Sequence, residues 1–85
     1  MTAIRFKVNE VFDIAARAGL IVVGHAEPDD FIGLPELRDH LTGHPITVIG
    51  VDSPTPRTLR TGETILLIDR ADADYAEPGR TWSAR

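Results

Sequence analysis

The sequence predicts an all-β fold, a single small closed β-barrel of six strands with antiparallel-rich pairing. Three observations carry it: apolar and polar residues alternate from Ile4 to Ile14, β-branched runs recur at roughly ten-residue spacing, and Gly, Pro and Asp turn signals separate them. A chain of 85 residues, 42% of them apolar, has material for one modest core, so the barrel is one domain over 1–85.

Ile4, Phe6, Val8, Phe12 and Ile14 stand at alternating positions with Arg5, Lys7, Asn9 and Asp13 between them, the period of a strand with one buried face. Glu10 and Val11 interrupt that period and mark a bulge where a barrel strand bends. Ala18-Gly19 turns the chain into Leu20-Ile21-Val22-Val23, a second strand running toward Ala26. Glu27-Pro28-Asp29-Asp30 is turn chemistry. The next segment, around residues 35–42, reads two ways. Leu34, Leu37 and Leu41 at helical spacing, with Pro35 and Glu36 in the first turn and Gly43 as a stop, suit a short helix; Leu37, Asp39 and Leu41 in alternation suit a strand.

Ile46 to Val51 is a strand, ended by Ser53-Pro54-Thr55-Pro56 because proline has no N–H to give a ladder. Thr61-Gly62-Glu63 is a turn, and Thr64 to Ile68, the most apolar run, reads as a central strand. Asp69 to Pro78 is polar and loop-like, and Gly79 opens a last short strand at Thr81-Trp82-Ser83. The core candidates are Phe6, Val8, Phe12, Ile14, Val22, Ile49, Val51, Ile65, Leu67 and Ile68.

The charge balance narrows the partners. With 9 Lys and Arg against 13 Asp and Glu, the net charge is −4, and Lys7 is the single lysine. Nucleic acids are bound by neutralising their phosphates, so this chain has no long-range attraction to DNA or RNA; a local contact to one nucleotide of RNA remains open. The alternation of Met1 to Glu10 has neither the apolar stretch of a secretory signal nor the roughly 20 apolar residues of a membrane helix. No cysteine is present, which removes disulfides, thiolate zinc sites and thiol nucleophiles, and accords with a cytoplasmic home.

Phe6-Lys7-Val8-Asn9-Glu10-Val11-Phe12-Asp13-Ile14, followed by Arg17 and Val22-Val23-Gly24, resembles the second domain of elongation factor Tu, a translation-factor β-barrel. Val11-Phe12-Asp13-Ile14 matches the end of that family's first strand, Arg17 sits at its turn arginine, and Gly24-His25-Ala26-Glu27 stands in for G-R-V-E. Downstream, Ile49-Gly50-Val51-Asp52 is similar to a family strand ending in Glu, Gly62 to Leu67 to the strand A-G-E-x-V-G-x-x-L, and Glu77 to Ala84 to the closing strand. The likeness spans residues 4–84. It departs where Ala16 and Ala18 replace glycines around Arg17, where one residue lengthens that turn, and where His25 replaces a basic Arg.

In the family this barrel sits beside a GTPase domain and helps hold the aminoacyl end of transfer RNA. This chain has no G-x-x-x-x-G-K-[ST] loop to cradle a triphosphate. The resemblance implies a barrel that contributes binding alone, with Asp52 near a pocket for the terminal adenosine and its aminoacyl group, and with Arg17 and His25 as further ligand contacts.

Other residue patterns supply alternatives. His40 and His44, four apart, could hold zinc with Asp39 or His25 if helical. Asp29 with Asp30, and Asp72 with Asp74, are paired carboxylates but sit in polar turns, where acid and base roles are not driven apart. Ser53 and Ser83 lie in no nucleophile elbow. Trp82 is either an anchor for a protein partner or the residue that closes the end of the barrel. The first reading is therefore a non-catalytic binding or accessory module that docks a protein partner or an aminoacyl or adenosine-like group, with no catalytic residue, no metal and no cofactor. A small metal-binding or enzymatic domain using the His and Asp residues of 25–44, and a structural homodimer, are the alternatives.

Overall fold

The structure, a computed structural model, describes residues 4–27 and 36–84. Strands β1 (Ile4–Phe12), β2 (Leu20–Glu27), β3 (Glu36–Asp39) and β4 (Pro45–Val51) come first. A short helix α1 (Pro56–Thr61), strand β5 (Thr64–Ile68), a 3-10 turn (Arg70–Tyr75) and strand β6 (Thr81–Ala84) complete the chain. The strands close into a barrel in the order β1-β2-β5-β4-β3-β6, with β6 pairing back onto β1 and every pairing antiparallel. Closure removes the two terminal edge strands that an open sheet would present. No helix among the described residues is long and apolar enough to cross a membrane.

Inside the barrel the fully buried side chains are Trp82, Phe6, Leu37, Ile46, Leu66, Ile68, Val8 and Val22, together with one charged group, Asp39. Trp82 stacks on Phe6 with ring centroids 5.8 Å apart, and its Nε1–H donates to the Tyr75 carbonyl at 3.1 Å. Trp82 is thus a member of the central core. A side chain with no exposed surface cannot anchor a partner on an intact barrel.

Several expectations are corrected by the direction in which side chains point. Strand β1 carries its irregularity between Val8 and Glu10, so that Asn9 is the extra residue, one position before the expected bulge. One added residue reverses the facing of everything after it. Phe6 and Val8 point inward, but Phe12 and Ile14 end up 43% and 48% exposed instead of in the core. In β4, Ile46 and Val48 form the inward set and Ile49 and Val51 the outward one, the opposite parity to that expected. In β5, Leu66 and Ile68 face the core, Leu67 is half-buried, and Ile65 is buried on the outer face.

The segment around 35–42 is strand and turn, not helix, over its described part. Leu37 and Asp39 are both buried with Arg38 exposed between them, and Leu41 is 84% exposed, so Leu37 and Leu41 share no face. Glu36 to Arg38 pair with β4, and Arg38 and Asp39 with β6. The turn expected at Pro28 to Asp30 lies outside the described residues.

The helix is found instead at 56–61, in a segment read only as the end of a strand. Thr55 caps it, its hydroxyl accepting the Thr58 amide at 3.2 Å while the Thr58 hydroxyl accepts the Thr55 amide at 2.8 Å, a reciprocal capping box. Pro56 opens it and Gly62, at φ 78°, ends it in the left-handed conformation.

Gly24 sets how closely β1 and β2 approach. A Cβ built there would lie 2.0 Å from the Lys7 carbonyl oxygen and 2.8 Å from the Phe6 ring. Gly24→Ala is therefore expected to cost about 1–3 kcal/mol, lowering the thermal midpoint by roughly 4–8 °C per kcal/mol. Gly50→Ala, where an added Cβ meets nothing within 4 Å, is expected to stay within about 0.5 kcal/mol of wild type. Paired thermal melts check both; equal midpoints would remove the close-approach argument.

Candidate functional site

The outer wall of the barrel is apolar where β1, β2 and β5 run side by side. Phe12 faces Ile21 across the β1–β2 pairing, and Val23 faces Ile65 across the β2–β5 pairing. Val23 and Ile65 are each only 7% exposed although they stand outside the central core. The chain from Asp52 to Glu63, which includes α1, covers them. Between wall and cover lies a cleft of about 260 Å³, its floor formed by Phe12, Ile21, Val23 and Ile65, and its polar side by Asp52, Ser53, Thr55, Arg57 and Thr58.

Side-chain contacts tie the covering segment to the wall at both ends. At one end Arg17, in the β1–β2 turn, donates to Asp52 Oδ2 at 2.8 Å, a contact between residues 35 apart in sequence. Asp52 Oδ1 also accepts the Ser53 amide at 3.2 Å. At the other end Arg57 on α1 pairs with Glu10 on β1, and the bulge residue Asn9 donates from Nδ2 to Glu63 Oε2 at 3.0 Å. The Thr61 hydroxyl donates to the other Glu63 oxygen at 2.8 Å. The donations from Asn9 and then Thr61, helped by the Arg57 charge, outweigh burial and hold the Glu63 carboxyl below the usual glutamate range.

The Arg17–Asp52 pair is partly exposed, with side chains 40% and 32% accessible. A pair this open adds about 0–1 kcal/mol to stability, so its larger effect is to fix the position of the cleft mouth. Arg70 reinforces the same turn, donating to Asp13 at 3.0 Å and to the Ile14 carbonyl at 2.8 Å.

Two of the three ligand residues expected from the sequence, Arg17 and Asp52, thus meet. The third, His25, lies elsewhere: it is exposed on β2 opposite Lys7 and lines a separate, polar hollow with Arg5, Lys7, Glu27 and Thr81. Glu10, Arg57 and the apolar floor were not anticipated. The signal for the floor was present in Leu20-Ile21-Val22-Val23, where apolar residues on both faces of a strand imply that both faces are covered.

Of the His and Asp residues offered as an alternative site, His44 and Asp39 already have side-chain partners. The His44 ring stacks on Tyr75 at 3.9 Å, and its Nε2 lies 3.1 Å from Asp72 Oδ1. The other Asp72 oxygen accepts the Thr47 amide at 2.8 Å. Asp74 is exposed, so it and Asp72 form no carboxylate pair in one environment. His40 is exposed on the β3–β4 turn. Among the described residues no three of His, Asp and Glu gather as a metal set. Asp29 and Asp30 lie outside the described residues. Ser53 has no histidine among the residues that line its cleft.

Asp39 is the one fully buried carboxylate of this region. Burial works against its charge, yet the Thr42 amide and hydroxyl, both at 3.0 Å, and Arg80 at 3.1 Å more than offset it. Its carboxyl is held below the usual aspartate range.

Comparison with known proteins yields no match: no family model, no curated protein and no solved structure is similar to the chain. The closed six-stranded antiparallel barrel is compatible with small barrel folds as a class.

Because the folded carboxyl of Asp39 ionises below its unfolded counterpart, its contribution is complete above the unfolded value and lost as pH falls through the folded one. Asp39→Asn is expected to lose about 2–3 kcal/mol at pH 7. Its stability should also fall less steeply than wild type on acidification below about pH 4. Denaturant melts at stepped pH measure this, and parallel acid limbs would count against the assignment.

Proposed function

We propose that the chain is a non-catalytic binding module that receives a small, partly apolar group in the cleft between the barrel wall and the segment 52–63. The resemblance to translation-factor barrels suggests an aminoacyl or adenosine-like occupant. The observation that carries this reading is the meeting of Arg17 and Asp52 at the mouth of an apolar-floored cleft of about 260 Å³.

The chemistry of the cleft favours binding over catalysis. Ligand sites of this kind pair an apolar lining with a few convergent polar groups, and here four apolar side chains meet a rim of threonine, serine and two ion pairs. Arg17 and Asp52 neutralise one another, so the mouth carries donors and acceptors but little net charge. A group with a ring or aliphatic part can lie on Ile21 and Val23 while its polar atoms meet Asp52, Ser53 and Arg17. Ser53 has no histidine among the residues that line the cleft, and Asp52 is paired with Arg17, so no general base is set beside a nucleophile there.

Titration of the 15N-labelled protein with an aminoacyl-adenosine tests this. Saturable shifts are expected at Ile21, Val23, Asp52 and Thr55. Asp52→Ala should weaken binding about tenfold, which is about 1.4 kcal/mol, with little loss of stability because the ion pair is half-exposed. A spectrum unmoved by the ligand in the wild type would discard the aminoacyl form of the reading.

A further inference from the structure

Opposite in character to the cleft is the hollow of about 210 Å³ lined by Arg5, Lys7, His25, Glu27 and Thr81 on the outer face of β2, β1 and β6. Elsewhere among the described residues, Arg17, Arg57, Arg70 and Arg80 each hold an acidic side chain. Arg5 and Lys7 hold none. They stand two apart on β1, hence on the same face, both exposed.

The register places their neighbours. Lys7 is opposite His25 on β2 and opposite Thr81 on β6, so ammonium, imidazole and hydroxyl form one row across three strands. Directly opposed residues in antiparallel sheets have Cα atoms about 4.5–5.5 Å apart, a spacing at which three donors can reach the oxygens of one tetrahedral anion. Arg5 is opposite Glu27, and that acid balances the Arg5 end. Among the described residues no acid pairs with Lys7; Glu27 lines the hollow at its Arg5 end, and the Glu63 carboxylate interacts electrostatically with His25. In a chain of net charge −4, two cations are thereby gathered on one strand face with an imidazole set across from the ammonium.

We propose that this hollow is an anion site that takes the phosphate group of a small phosphorylated molecule. Lys7 supplies the charge, His25 Nε2 or Nδ1 and the Thr81 hydroxyl supply directed donors, and Arg5 flanks the entrance. The overall negative charge favours a single phosphate over a polymer of phosphates, because a polyanion is repelled at a distance whereas one group feels mainly the local pocket.

The test is titration of the 15N-labelled full chain with pyrophosphate, with inorganic phosphate and a single-stranded oligonucleotide as parallel arms. Expected are saturable shifts at Arg5, Lys7, His25 and Thr81, competition by inorganic phosphate at the same amides, and about tenfold weaker pyrophosphate binding in Lys7→Gln. Because Lys7 is exposed and holds no acid, this variant should melt as the wild type does. Absence of saturation with all three probes, or unchanged affinity in Lys7→Gln, overturns the proposal. Oligonucleotide binding that tightens with length and exceeds that of pyrophosphate also overturns it, in favour of a nucleic-acid interface. The readout is separate from the cleft at Asp52, whose amides should not move.

Discussion

Everything in this molecule depends on β1 being paired along both edges. Its first half bonds to β2 on one side and to β6 on the other, and the β6 pairing is what turns a sheet into a barrel. The two rings at that seam, Phe6 and Trp82, are the largest fully buried side chains among the described residues, and they stack across it. Burying an aromatic side chain contributes a few kcal/mol, which in a domain of this size is a large share of net stability. Gly24 permits the arrangement by leaving room for the Phe6 ring over β2. Ring stack, strand closure and missing side chain are one constraint seen from three strands.

Strand identity was legible in the sequence except in β3, where helix and strand read equally well, and facing was legible where the alternation held, as at Phe6 and Val8. Period-two alternation in Ile4 to Val8 and the β-branched runs at 20–23, 46–51 and 64–68 all became strands. Facing failed wherever alternation was broken or absent. In β1 the extra residue Asn9 reversed the later half, exposing Phe12 and Ile14. In β4 and β5 both faces are apolar in sequence, and such a run has no internal marker of which face is inner. The helix at 56–61 carried a readable signature, a threonine cap, a proline at the first position and a glycine stop, but the prolines were weighed only as breakers of the preceding strand.

The candidate cleft follows from the same ambiguity. Val23 and Ile65 need cover because they are apolar on the outside of a barrel, and α1 with its flanks supplies it incompletely, leaving a hollow floored by their neighbours Phe12 and Ile21. The bulge has a part here too. By turning Glu10 and Phe12 outward and freeing the Asn9 side chain, it provides both the Glu10–Arg57 and the Asn9–Glu63 ties that hold α1 in place. Resemblance of sequence picked out Arg17 and Asp52, whose meeting no spacing rule could foresee across 35 residues. It could not find Arg57 or the floor, since those depend on a helix and a parity that were read differently.

Charge organises the remaining surface. Each of the arginines at 17, 57, 70 and 80 fastens a loop or helix to the barrel through an acid: the β1–β2 turn, α1, the 3-10 turn and the approach to β6. Arg80 does so at the least exposed site, joining buried Asp39 of β3 while lying over the Tyr75 ring, 5.6 Å from its centroid. The His44–Asp72 contact and the His44–Tyr75 stack fix the 3-10 turn against β4 in the same region. Glu10, Asp13, Asp39, Asp52 and Glu77 are thus engaged in bracing the connections of a short-stranded barrel. It follows that cations left out of this bracing stand where the fold has no use for their charge, and on β1 those cations are Arg5 and Lys7, the latter across from a histidine and a threonine. Lys7, exposed on the half of β1 whose inner face closes the core, can carry a ligand contact at small cost to stability.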